Sequence, residues 1–164
     1  MLALQPAPYI NEAQLLFSEV QDQYIAGSGS HPHITLCQFY ADESTMQKIE
    51  ADLKALGSPP QPHFSGIHFV KDPKPGLWGV EISATRDSAL IAYHNEVISI
   101  LKKHNINTYI NDTGDLFRPH LTLARINKLG FEGFNEDLLR DTPFLLATGE
   151  AGPLGQFEKI RKKY

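Results

Sequence analysis

Two short segments of this chain carry the residue types of acid–base chemistry in matching order. Ser30-His31-Pro32-His33-Ile34-Thr35-Leu36 and Phe117-Arg118-Pro119-His120-Leu121-Thr122-Leu123 share the pattern Pro-His-aliphatic-Thr-Leu, and they lie about half the chain apart. A repeat at that separation is what two duplicated halves would leave. Imidazole titrates at about 6.5, so near neutrality one ring can be neutral while another is cationic. That combination suits an in-line displacement at phosphorus. A neutral ring takes a proton from the attacking water or hydroxyl, and a protonated ring gives one to the leaving oxygen. Threonine hydroxyls can donate to the non-bridging oxygens as charge builds on them. No metal is needed in such a scheme.

Positioning these groups requires strands. Side chains alternate along a strand, so His33 and Thr35 share one face while Ile34 and Leu36 share the other. His120 and Thr122 likewise oppose Leu121 and Leu123. The aliphatic face must be buried under helices, and the His/Thr face must line a groove. A proline before each histidine suits a first strand position, where a missing N–H costs little. Two such strands packed about a pseudo-two-fold axis would converge two imidazoles and two hydroxyls on one spot.

The surrounding sequence supplies the scaffold. Leu2–Leu4 reads as an edge strand ending at Pro6. The spacing of Leu15, Leu16 and Val20 predicts a helix over Glu12–Tyr24, capped by Asn11. His33–Phe39 reads as a strand. Asp42 can cap a helix in which Met46, Ile49, Leu53 and Leu56 recur at helical spacing before Gly57. Phe64–Val70 and Leu77–Ser83 read as strands joined through Asp72-Pro73-Lys74-Pro75-Gly76. A further helix runs from Asp87 or Ser88 to about Lys103, with Lys102, Lys103 and His104 suiting its C-terminal dipole. Pro119–Ile126, Phe144–Thr148 and Gln156–Ile160 complete the strands. With no regular βαβ rhythm and many Pro- and Gly-rich turns, the pattern points to an α+β fold with antiparallel sheet.

Composition bounds the partners. The 164 residues contain 15 Lys+Arg against 19 Asp+Glu, a net charge of −4, with 41% apolar and 21% charged residues. These are the proportions of a globular domain, without a broad basic face for duplex DNA. A nucleotide or short RNA end remains compatible. No apolar run approaches the roughly 20 residues of a membrane helix, and the first residues lack the pattern of a signal peptide. A single cysteine, Cys37, cannot form an internal disulfide, which fits a reducing, cytoplasmic setting. Lys159, Arg161, Lys162 and Lys163 read as a solvated tail.

The paired tetrapeptides His33-Ile34-Thr35-Leu36 and His120-Leu121-Thr122-Leu123 resemble the twin His-x-Thr/Ser-hydrophobic motifs of the two-histidine (2H) phosphoesterase superfamily, which includes the RNA 2′,3′-cyclic phosphodiesterases also called 2′-5′ RNA ligases. Gly152-Pro153-Leu154-Gly155-Gln156-Phe157-Glu158 resembles that family's closing segment, and Leu77-Trp78-Gly79-Val80 a strand between the motifs. The resemblance implies one domain over residues 1–164, built of two similar lobes, with a central antiparallel sheet, outer helices and a catalytic cleft between the lobes. It implies His33 as proton donor, His120 as proton acceptor, and Thr35 and Thr122 on the phosphate. The implied activity is metal-independent, cofactor-free hydrolysis of a 2′,3′-cyclic phosphate on a nucleotide or RNA end, giving a 2′-phosphate, by a monomer. Alternatives are a phosphodiesterase of 2′-5′ oligoadenylate or ADP-ribose cyclic phosphate, or a non-catalytic RNA- or nucleotide-binding module.

Other residues have weaker claims. Arg118, two before His120, can share its face and hold a phosphate or departing group. Arg125 has the opposite parity and is expected elsewhere. Trp78, Phe39, Tyr109 and Phe117 could stack a base, but each suits a core position better. His31, His33, His63 and His68 stand at no recognisable metal-ligand spacing. Gly27-Ser28-Gly29-Ser30 lacks the lysine and following helix of a phosphate loop. Cys37 suits a small buried position.

Overall fold

Two aspartates start the two α-helices among the described residues. The Asp42 carboxylate accepts the Thr45 N–H at 2.7 Å and opens α1, Glu43–Leu53. The Asp87 carboxylate accepts the Leu90 N–H at 2.8 Å and opens α2, Ser88–Lys103. Each satisfies one of the donors that a helix N-terminus leaves open. Lys102 and Lys103 occupy the last turn of α2, where cations suit the dipole. Gly57 takes a φ of +74° beyond α1, a left-handed conformation that favours glycine. The computed structural model describes residues 2–6, 21–25, 30–72, 75–108, 113–126, 143–152 and 155–164.

The strands are β1 (Leu2–Pro6), β2 (Gln21–Ile25), β3 (Ile34–Cys37), β4 (Phe64–Lys71), β5 (Trp78–Ala84), β6 (His120–Ile126), β7 (Phe144–Ala151) and β8 (Phe157–Lys163). They form one sheet in the order β4-β5-β6-β3-β1-β7-β8, with β2 also paired to β6. Every pairing is antiparallel. The fold is therefore α+β, a central antiparallel sheet with two helices among the described residues. Ile34, Leu36, Leu121 and Leu123 are fully buried in one core with Ile49 and Leu53 of α1 and Leu90, Val97 and Leu101 of α2. The helices thus cover the aliphatic face of the two motif strands.

Three expectations are corrected. Gln21–Tyr24, read as the end of a helix, lies in β2, where pairing with β6 overrides the helical spacing. The remainder of that expected helix, 12–20, lies outside the described residues. β1 is an interior strand, not an edge: it pairs with β3 through residues 2–4 and with β7 through residues 2–6. Pro6, which has no N–H to give, lies past the end of the β3 pairing. The C-terminal cations are not a solvated tail but part of β8. Arg161 donates to Glu50 at 2.7 Å and makes two further bonds to Glu43, one of them at 2.8 Å. Glu50, only 8% exposed, also accepts from the Thr148 hydroxyl, so a charge that is expensive to bury is partnered.

Close approach of β8 to β7 depends on Gly149. A Cβ there would stand 2.1 Å from the Lys159 carbonyl and 2.3 Å from the Phe157 ring. Both distances lie far inside van der Waals contact. We predict that Gly149→Ala lowers stability by about 2–3 kcal/mol through overpacking, measured by urea unfolding. An unchanged midpoint would show that β8 can shift without loss.

Candidate active site

The two motif strands are neighbours, and they pair at Ile34↔Leu121. These are the residues directly after each histidine. Continuing the antiparallel register one residue either way sets His33 opposite Thr122 and Thr35 opposite His120. Opposed residues share a face of the sheet. All four then lie on the face away from the helices, and all four line one cavity of about 340 Å³ together with Glu81 and Arg118.

Each histidine is tied down in the same way. His33 Nδ1 lies 2.6 Å from the His31 carbonyl, and His120 Nδ1 lies 2.8 Å from the Arg118 carbonyl. A carbonyl only accepts, so Nδ1 carries the proton in both rings, and Nε2 is the nitrogen left for chemistry. The equivalence of the two contacts, each to the carbonyl two residues back, is the structural counterpart of the repeated sequence.

The environments of the two rings differ. His33 is buried, 7% exposed, with the Phe157 ring against it edge-on at 5.3 Å. Burial pushes its pKa down to about 4; backbone contacts with His31 and Gly155 oppose that shift, and the neighbouring His120 adds slightly to it. Segment 155–157 closes over this ring. The Phe157 N–H donates to the Ser30 hydroxyl at 2.9 Å, and the His31 N–H to the Phe157 carbonyl at 3.0 Å. His120 is more open, with its side chain 27% exposed, and its Nε2 lies 3.4 Å from Glu81 Oε1.

Arg118 lines the cavity with half its side chain exposed, and its guanidinium grips Glu81 through two contacts, at 2.5 and 3.3 Å. Arg125 also lines the cavity, contrary to its parity in the sequence. The reason is a β-bulge. Val80 pairs with Ala124 and Glu81 with Thr122, so Leu123 is an extra residue on β6. Leu123 and Ala124 are consecutively buried, and alternation resumes with Arg125 on the histidine face. Asp72, itself buried, holds the Arg125 Nε at 2.5 Å. Glu81, Asp72 and Lys71 at this cavity were not identifiable from sequence, since single charged residues in or beside strands announce no partner. The only signal for Glu81 was its charge within a strand that has no other charged residue.

Of the remaining sequence candidates, Phe117 also lines the cavity, and the others are placed as follows. His31 is exposed beside Phe157, with ring centroids 6.5 Å apart. His68 Nδ1 meets the Ser83 hydroxyl at 2.9 Å. His94 is fully buried and stacks on Phe117 at 4.0 Å. His104 pairs with Asp52 at 2.8 Å. Phe117 is 1% exposed, and Phe39 and Trp78 are partly buried against the core. Cys37 is buried as a free thiol. Tyr109 and Gly27-Ser28-Gly29 lie outside the described residues. Among the described residues no group of three His, Cys, Asp or Glu side chains is placed to hold a metal ion, and no helix is long and apolar enough to cross a membrane.

Comparison with solved structures matches this fold. A phosphoesterase crystal structure superposes with a TM-score of 0.60 at 16% identity, over 99% of this chain and 94% of that one. E. coli LigT complexed with 3′-AMP gives 0.60 at 13% identity, over 99% and 95%. The chain shares the overall fold of these two structures. No family model matches the chain. In sequence it is similar to segments of two viral polyproteins. It is 27% identical to replicase polyprotein 1ab of Berne virus over 94% of this chain, and 29% identical to replicase polyprotein 1a of Breda virus 1 over 73%. The chain spans only 2% of the length of each. In this chain the two motif strands are adjacent, and His33 and His120 line one cavity.

The burial of His33 has a consequence that needs no substrate. The ring takes a proton at about 6.5 when unfolded and at about 4 when folded. Between those pH values the unfolded chain binds more protons, so stability falls as pH falls through this window. The loss is on the order of 3 kcal/mol when complete. We predict that His33→Gln flattens this dependence, read from urea unfolding at a series of pH values between 4 and 7. Parallel curves for the two proteins would contradict it.

Proposed function

We propose that this chain is a two-histidine phosphodiesterase that hydrolyses 2′,3′-cyclic phosphates on a nucleotide or an RNA end, leaving a 2′-phosphate. The single observation that carries the reading is the pair of Nε2 atoms, each freed by the same Nδ1–carbonyl contact, in one cavity with Thr35 and Thr122. One neutral imidazole removes a proton from water as its oxygen bonds to phosphorus. The opposite imidazolium protonates the ribose oxygen as the P–O bond breaks. The two threonine hydroxyls donate to the non-bridging oxygens. A volume of about 340 Å³ is at the small end for ligand sites, which supports a single nucleotide unit. Lys71, Arg118 and Arg125 add positive charge for a phosphate. LigT's complex with 3′-AMP supports a nucleotide ligand. We read the chain as one domain of two matching halves, acting as a cytoplasmic monomer.

A second reading keeps the machinery and lengthens the substrate to a 2′-5′ oligoadenylate. A neighbouring cavity of about 710 Å³ favours it, since that cavity shares Gln38 with the catalytic one and carries the exposed Tyr40. The test is a panel of 2′,3′-cyclic nucleotides, 2′-5′ oligoadenylates and ADP-ribose cyclic phosphate, with phosphorus NMR identifying each product. We predict turnover that survives EDTA, a bell-shaped pH dependence with an acid limb near 4, where His33 takes a proton, and losses of about 10²–10⁴-fold in His33→Ala and in His120→Ala. Near-normal rates in both variants would refute the reading. Tight binding of the 2′-phosphates without turnover would make the chain a binding module.

A further inference from the structure

The two imidazoles are equivalent in sequence and in their Nδ1 contacts, yet acid–base catalysis requires them to differ. The difference comes from β5. Glu81 is 6% exposed, pairs with Thr122 in register, and so lies on the face that carries His120. Its Oε1 is 3.4 Å from His120 Nε2, and Arg118 supplies its counter-charge at 2.5 and 3.3 Å. His33, across the cavity, is enclosed instead by the Phe157 ring and the backbone of segment 155–157.

Resting on the phosphodiesterase reading above, we propose that Glu81 is a positioning residue that keeps the proton on His120 Nε2, making His120 the proton donor and His33 the acceptor. This is the reverse of the order that the family resemblance implies. A buried carboxylate beside an imidazole favours the imidazolium, and burial without such a partner favours the neutral ring. The depressed proton affinity of His33 agrees with its half of the assignment. At 3.4 Å the Glu81 contact is longer than an ordinary charge-assisted hydrogen bond. It holds the charge while leaving the N–H available to the departing oxygen. In the reaction the water proton passes to His33 Nε2, the new O–P bond forms, the P–O bond to ribose breaks, and the His120 proton goes to that ribose oxygen. Both rings then exchange with solvent to restore the starting state. The other titratable and charged groups around His120 are His33 just before β3, His68 and Lys71 on β4, Asp72 beyond it, Arg118 just before β6 and Arg125 on β6. His68, opposite Glu81 in register, is engaged by Ser83, and Arg125 by Asp72.

The experiment compares a ribose leaving group, which needs a proton, with p-nitrophenolate, which does not, in matched nucleoside phosphodiesters. Glu81→Gln should move the basic limb of kcat/KM to lower pH, and so reduce the rate above it with the ribose leaving group. The p-nitrophenyl ester should lose less than the ribose substrate, and its basic limb should not move. His120→Ala should lose less on the p-nitrophenyl ester than on the ribose substrate, His33→Ala should lose about equally on both, and Glu81→Asp should restore part of the limb. An unmoved basic limb in Glu81→Gln, or sparing of His33→Ala in place of His120→Ala, overturns the assignment. A histidine side-chain NMR titration of wild type and Glu81→Gln reads the same coupling without turnover: a lower His120 midpoint in the variant supports it, and an unchanged one overturns it. Wild type that cleaves neither ester overturns the phosphodiesterase reading itself, separately from the coupling.

Discussion

One backbone pairing, Ile34 against Leu121, determines where the chemistry can occur. A strand's side chains alternate, so a slip of one residue between β3 and β6 would turn one histidine toward the helices and its aliphatic neighbour toward water. What prevents the slip is burial. Ile34, Leu36, Leu121 and Leu123 are all inaccessible to solvent, and each such side chain is worth about 1.5–3 kcal/mol when taken out of water. The histidine face is thus fixed by the hydrophobic effect on the opposite face. The described helices lie on that opposite face and act by favouring one register.

The chain's near-symmetry is broken around that pair. On the His33 side, β8 closes down: Gly149 permits the approach, Phe157 lies against the ring, and Ser30 caps the Phe157 N–H. On the His120 side, β5 contributes Glu81, and a bulge at Leu123 turns Arg125 into the same cavity. One imidazole therefore sits in a dry, largely uncharged wall and the other beside a carboxylate. Two copies of one motif acquire opposite electrostatic surroundings from strands that are not copies of each other. The core that holds the motifs and the wall that differentiates them come from different parts of the sheet.

The parts legible in the sequence are those governed by local rules. His33, Thr35, His120 and Thr122 share a face because alternation is a property of each strand alone, and Asp42 and Asp87 signalled their helices because a cap acts within three residues. The parts that were not legible depend on pairing between distant strands. Gln21–Tyr24 read as the end of a helix, yet pairing with β6 placed it in a strand. Arg125 lay at the wrong parity until a bulge, defined only against β5, shifted it. Glu81 was the one charged residue in its strand, and its role follows from its position across from Thr122. Arg161 resembled a tail residue until β8 brought it to Glu43 and Glu50.

The central claim is that both Nε2 atoms address the same anion. Its most direct test is a long-range proton–nitrogen NMR spectrum of the histidine side chains during titration with a nucleoside 2′-phosphate. The account predicts that the Nε2 resonances of His33 and His120 move together with one saturation curve, while their Nδ1 resonances stay near their starting shifts. Movement of only one ring, or separate curves for the two, would contradict it.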